Sequence, residues 1–252
     1  CLHATIIPRV HYSLYSMEKN LSDYKVFKKI DVFSMFEQIV PNYKKKTILD
    51  FGGNLGNLIS YSNGKILEHD YTCLDLSKEA LDILQVNYPN TLGLHWNRYH
   101  KMYNPDGNVD EPWPAHLQYD IAFANSVFTH QEIPEMIKCL KYLTHHADRI
   151  YFTYIDPNNN SVLNDLINKH NAISLTNKQI VKLKDRELSY VLDGSRVVYR
   201  DDIENESYKS IWTIIDTNYL KEVLNSFGFK VIYSSTTISG FNWMEIKPRR
   251  IT

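Results

Sequence analysis

The chain of 252 residues is short of several features that would assign it a class at once. It has three cysteines, Cys1, Cys73 and Cys139, an odd count without paired spacing. That argues against a disulfide framework and for a reducing, cytoplasmic compartment. No apolar run approaches the ~20 residues of a membrane span, so no membrane partner is expected. The N-terminus also lacks the charged-then-apolar layout of a secretion signal. The first residue is Cys1 rather than Met, which leaves open a native start upstream and membership of a larger protein. Charge of either sign is scarce in excess: 28 basic against 29 acidic residues leave −1. No global field therefore favours nucleic acid or an anionic membrane. The run Lys44-Lys45-Lys46 reads as a solvated lead-in to a buried strand. C-x-x-C and H-E-x-x-H are both missing, and His145 and His146 cannot face one ion from a helix, so no metal site is expected. A G-x-S-x-G nucleophile elbow is missing too.

What is present is a glycine turn. Thr47-Ile48-Leu49-Asp50-Phe51 is an apolar run that ends around an acid. Gly52, Gly53 and Gly56 then fall within five positions, and apolar residues resume at helical spacing. That reads as a buried strand, a tight turn and a helix start, the first βα unit of a doubly wound sheet. Glycine there lets the backbone pass close to a ligand, and the helix N-terminus directs amides at something electron-rich.

The rest of the chain alternates in the same manner. An amphipathic helix over 22–40, ended by Pro41, precedes the strand at 47–51. A short helix from about Leu55 to Asn63-Gly64, a strand at 71–75 and a helix N-capped by Ser77 follow. Strands are expected at 92–96, 119–124 and 149–155, with a helix between the last two that runs to about His145. Residues 157–212 read as an insertion with helices near 161–170 and 176–185 and a hairpin through Asp193-Gly194. A helix over 217–227, capped at Gly228, leads to strands at 229–234 and 241–246. The expectation is an α/β fold: a doubly wound, mostly parallel seven-stranded sheet with helices on both faces. Residues 1–46 form an N-terminal helical or lid segment, and 47–252 the main domain.

Ligands of such sheets bind beyond the carboxyl ends of the strands. That edge collects 50–57, 75–77, 97–107, 125–130 and 154–160. Spacing separates the cofactor classes that use a glycine turn. No G-x-x-x-x-G-K-[ST] loop exists. A G-x-G-x-x-G fingerprint begun at Gly52 would need glycine where Asn54 and Asn57 stand.

The remaining class uses an acid followed by G-x-G-x-G. Asp50, Gly52 and Gly56 match it, Asn54 replaces the middle glycine and Gly53 sits in the variable slot. With Asp75 ending the second strand and Asn125 to His130 after the fourth, residues 47–156 resemble class I S-adenosylmethionine-dependent methyltransferases. The Gly228-Phe229 strand entry extends the likeness, and the D-F-G-G-N-x-G-N loop is similar to that of a small-molecule branch. The resemblance implies that Asp50, Gly52, Gly53, Asn54 and Gly56 face the methionyl end of the cofactor. Asp75 then accepts the ribose hydroxyls, Leu76 lies against adenine, Asn97 takes the adenine amino group, and Asn125 and Ser126 line the methionine end. His130, in a Phe128-Thr129-His130 triplet similar to that of small-molecule methyltransferases, is the candidate catalytic base. Tyr99, His100, Tyr103, Trp113 and Tyr154 are candidates to wall a substrate pocket, Tyr12 and Tyr15 to close a lid, and 157–212 to cap the substrate.

The function implied is methyl transfer to an O or N nucleophile of a small molecule, with S-adenosylhomocysteine as product. The N/D-P-P-Y/F element by which nucleic-acid amino methyltransferases grip a flipped base is replaced by Asn125-Ser126-Val127-Phe128, which argues against nucleic acid. A non-catalytic adenosylmethionine-binding or interaction domain stays open as the alternative, as does the oligomeric state.

Overall fold

A computed structural model describes residues 32–100, 103–114, 116–156, 182–183, 186–187, 189–193, 197–201, 211–238 and 241–248. These belong to one compact unit, Val32–Thr252. Outside the described residues lie Tyr12, Tyr15, most of the helix expected over 22–40 and the helix expected near 161–170.

The first strand, β1 (Ile48–Phe51), is buried at all four positions. An apolar strand with no exposed face belongs inside a sheet with cover on both sides. It pairs in parallel with β2 (Tyr71–Asp75) and β4 (Tyr119–Ala124). In the same sense β3 (Leu92–His95) joins β2, and β5 (Ala147–Tyr154) joins β4. The C-terminal hairpin completes the sheet: β12 (Phe241–Pro248) runs antiparallel to β5, and β11 (Phe229–Ile238) antiparallel to β12. The order is β11-β12-β5-β4-β1-β2-β3. This is the expected seven-stranded sheet with β12 alone reversed. The chain order turns back between β1 and β4, and a ligand crevice opens at such a switch point.

Alternation along the strands supplies a core on each face. Phe123 of β4 meets Phe36 of α1 (Val32–Ile39) at 5.0 Å, edge to face, and stacks on Trp243 at 5.4 Å. Its neighbours Ala122 and Ala124 join a second cluster with Leu140 and Leu143 of α4 (Ile133–His146) and Leu220 and Leu224 of α5 (Thr217–Ser226). The short α2 (Asn57–Tyr61) follows the glycine turn. Next, α3 (Lys78–Asn87) is capped as expected, Ser77 Oγ accepting from the Ala80 N–H at 3.1 Å. Gly228 ends α5 at φ +85°.

Two small antiparallel sheets come from the segment after β5. One pairs β6 (Lys182–Leu183) with β7 (Arg186–Glu187). The other runs β8 (Ser189–Asp193), β9 (Val197–Asp201), β10 (Ile211–Ile215), and contains the expected hairpin. The helix expected near 176–185 lies outside the described residues except at Lys182–Leu183, which form β6 instead. Residues 182–187 carry one apolar side chain, Leu183, too few for a helical stripe, and ladder pairing prevails. Pairing also carries the last two strands beyond 234 and 246. β10 meets the end of β5, where the Ile215 N–H donates to the Ile155 carbonyl at 2.8 Å. No described helix is long and apolar enough to cross a membrane.

Leu140 is fully buried between α4 and the sheet. Leu140→Ala should cost about 2–5 kcal/mol, read by urea unfolding as a lower midpoint with an unchanged slope.

Candidate functional site

The turn after β1 is built to keep the chain low. The Gly52 N–H donates to the Leu74 carbonyl at 2.7 Å, so the turn begins by closing onto β2. Gly52 and Gly56 take φ +72° and +75°. Between them Asn54 adopts φ +52°. Asparagine is among the few residues that enter the left-handed region readily, so the substitution keeps the conformation glycine would give. Gly53 is held by proximity: a Cβ there would stand 2.6 Å from Asp50 Oδ2 and 2.8 Å from Cys73 Sγ.

Asp75 fastens this turn to the next one. Its Oδ2 accepts from the Asn54 N–H and its Oδ1 from the Ser77 N–H, both at 2.8 Å. Burial pushes the Asp75 carboxyl up, and those amides pull it back. Each oxygen keeps a further lone pair for an incoming donor. Asp50 lies beneath the turn, 4% exposed, with Oδ2 accepting from the Tyr71 hydroxyl at 2.6 Å. Leu76 packs on the core cluster, and its carbonyl meets His95 Nε2 at 3.0 Å.

The stretch after β3 is a stapled loop. The Asn108 N–H donates to the Asn97 carbonyl, and Asn104 Nδ2 to both Asn97 Oδ1 and the Arg98 carbonyl. Asn97 Oδ1 thus serves the loop with one lone pair and keeps the other. The buried Arg98 reaches Glu135 of α4 with Nε at 2.6 Å and the Val109 carbonyl at 2.8 Å. His100 is buried, with Nδ1 accepting from the Tyr103 N–H at 3.1 Å and Nε2 3.2 Å from the His130 carbonyl. An acceptor Nδ1 and a donor Nε2 require the neutral ring, and burial holds its pKa low. Tyr103 is half-exposed, its ring 5.8 Å from that of His130 and edge-on to it. Partial burial, then the charge of Asp75, push its phenol up. Tyr99 is also partly exposed.

After β4 the chain turns sharply. Ser126 takes φ +58°, and its N–H donates to Thr153 Oγ1 at 2.6 Å. A 3₁₀ turn, Phe128–His130, then buries His130. His130 Nε2 lies 3.5 Å from Ser126 Oγ, and Ser126 Oγ 3.4 Å from Thr129 Oγ1. Asn125 carries a buried Oδ1 without a hydrogen-bond partner. The structure therefore gathers the turn 52–56, Asp75, Tyr103, Asn125, Ser126 and His130 at the carboxyl ends of β1, β2 and β4.

No protein-family model and no curated protein sequence matches this chain. Solved structures do. A glycopeptide N-methyltransferase complexed with S-adenosyl-L-methionine superposes with TM-score 0.52 at 11% identity, over 86% of this chain and 87% of that one. The 1,6-didemethyltoxoflavin N1-methyltransferase of Burkholderia thailandensis gives TM-score 0.54 at 11% identity, over 98% and 93%. An S-adenosylmethionine-dependent methyltransferase of Clostridium acetobutylicum gives 0.54 at 12%, over 93% and 99%. The chain has the S-adenosylmethionine-dependent methyltransferase fold.

On that methyltransferase fold two expected site residues fall elsewhere. Tyr154 is 2% exposed, its ring in the core and its hydroxyl 2.8 Å from Thr217 Oγ1, because alternation along β5 turns it toward α5. Trp113 stacks on Tyr142 at 5.6 Å and lies edge-on to Trp96 at 5.2 Å, inside an aromatic cluster. Sequence reasoning also missed three supports: Tyr71 under Asp50, the Arg98–Glu135 pair, and Thr153 behind Ser126. A threonine within the apolar run of β5 and an arginine within a polar-aromatic stretch were the available signals.

Burial raises the Asp50 carboxyl to about 7, the Tyr71 hydroxyl opposing and the charge of Asp75 adding. An unfolded aspartate titrates near pH 4, so between about 4 and 7 the folded chain holds a proton the unfolded chain has lost. Stability from this group is complete below that window and falls as pH rises through it. Asp50→Asn should flatten this segment of the stability curve, measured by urea unfolding from pH 4.5 to 7.5.

Proposed function

We propose that this protein is a cytoplasmic S-adenosylmethionine-dependent methyltransferase that methylates an O or N nucleophile of a small molecule. The observation that carries the reading is a juxtaposition at one sheet edge. The glycine turn tied to Asp75 stands on one side of the crevice, and the 3₁₀ turn bearing His130 on the other. The chemistry of the donors and acceptors suits the cofactor. The orphaned Asn125 Oδ1 suits its ammonium, and Asp75 retains acceptor capacity for two ribose hydroxyls. Gly53, where a Cβ would meet Asp50 Oδ2 at 2.6 Å, lets the turn sit low over the end of β1.

Bound S-adenosylmethionine would supply a methyl group on a sulfonium, open to in-line displacement. The protein's own task is then alignment and exclusion of water. Tyr103 places its ring 5.8 Å from that of His130, an aromatic group suited to a neighbouring cation. The His130 imidazole would take the proton that an O or N acceptor loses. The sheet β8–β9–β10 would cap the substrate. Thr213 of β10 already donates its hydroxyl to the Gln131 carbonyl, one residue beyond His130.

Thermal unfolding with S-adenosylhomocysteine tests the reading, with ATP and NADH as controls. At 100 times its dissociation constant S-adenosylhomocysteine should add ~2.7 kcal/mol, and the controls nothing. Stabilisation by NADH in its place would move the protein to another enzyme class. His130→Ala should lower methyl transfer by about 10²–10⁴-fold while leaving S-adenosylhomocysteine affinity unchanged.

A further inference from the structure

Thr153 is fully buried on β5 and so reaches no ligand, yet its hydroxyl holds a left-handed, non-glycine backbone at the site. Ser126 is the residue at which β4 ends and the chain reverses. It does so at φ +58°, where a non-glycine residue is disfavoured and persists only if its surroundings fix it. The fixing contact is a single short hydrogen bond, Ser126 N–H to Thr153 Oγ1 at 2.6 Å, between neighbouring parallel strands. With the backbone turned this way, Ser126 Oγ emerges 3.5 Å from His130 Nε2 and 3.4 Å from Thr129 Oγ1. Such contacts are long in ligand-free sites and tighten when the site closes.

We propose that Thr153 is a positioning residue, which by locking Ser126 in the left-handed conformation sets the Ser126 hydroxyl against Nε2 of His130 and so fixes that imidazole toward the acceptor. The idea rests on His130 acting as the base in the function proposed above. In the transfer, the acceptor's heteroatom gains the methyl as the sulfonium loses it. The acceptor's proton goes to His130, with the Ser126 hydroxyl steadying the ring that receives it. A valine at 153 keeps the shape but leaves the Ser126 N–H without its acceptor, so the turn relaxes and the hydroxyl swings off Nε2. A serine at 153 keeps the acceptor.

The test uses the full chain labelled with ¹⁵N-histidine. Long-range ¹H–¹⁵N spectra report the ring tautomer and titration midpoint of His130, assigned by its loss in His130→Gln. Thr153→Val and Ser126→Ala should each move the His130 midpoint by about half a pH unit in the same direction, the size expected for one hydrogen bond. Thr153→Ser should restore the wild-type value. A Thr153→Val chain that folds with the His130 midpoint and tautomer of wild type overturns the inference. If that variant does not fold, an unchanged His130 in Ser126→Ala overturns it equally. Calorimetric titration with S-adenosylhomocysteine separates the two levels: failure to bind sinks the proposed function, whereas binding with an unmoved His130 sinks only the role of Thr153.

Discussion

The cofactor wall at the carboxyl edge of this sheet depends on the Asp75 carboxylate, which two backbone amides from different turns share. The Asn54 N–H comes from the turn after β1 and the Ser77 N–H from the cap of α3, each 2.8 Å from one carboxylate oxygen. A buried carboxylate is costly unless donors meet it, so the charge and the two turns stabilise one another. The pairing requires left-handed backbone at 52, 54 and 56, and that requirement explains the composition of the turn. Glycine stands at two of these positions. Asparagine at the third retains the dihedral and adds a side chain beside the crevice.

A second constraint works from the opposite wall. β4 can end in a sharp reversal only because β5 supplies a hydroxyl to receive the Ser126 amide. The reversal leads into the 3₁₀ turn that bears His130, while the neutral His100 ties the loop after β3 to the His130 carbonyl. Three separate pieces of chain therefore converge on the His130 turn: the loop after β3 through His100, β5 through Thr153, and β10 through Thr213.

Most of the scaffold was legible from the residues because local pattern and long-range packing agree there. Tyr119–Ala124 is apolar but for Asp120 and lies between two strands, so pattern and position coincide. Ser77 was readable as a cap because its hydroxyl serves a neighbour three residues away. Legibility failed where a partner far along the chain decides the outcome. Tyr154 belongs to the core because α5, more than sixty residues later, covers it. Trp113 lies in a stretch without a period, and its stacking on Tyr142 depends on where α4 passes. At β6, ladder pairing overrode a weak helical stripe. The candidate site was legible as a set of positions, while the contacts among them, Tyr71 to Asp50 and Thr153 to Ser126, follow from strand register.

The account stands or falls on whether the turn and Asp75 together hold an adenosyl sulfonium. Equilibrium dialysis of methyl-tritiated S-adenosylmethionine against the wild-type chain and against Asp75→Ala addresses it directly. The account predicts saturable binding of one equivalent by the wild-type chain, weakened at least about tenfold by the loss of one charged hydrogen-bonding partner. A folded wild-type chain that retains no label, or an Asp75→Ala chain that folds and binds as tightly, would contradict it.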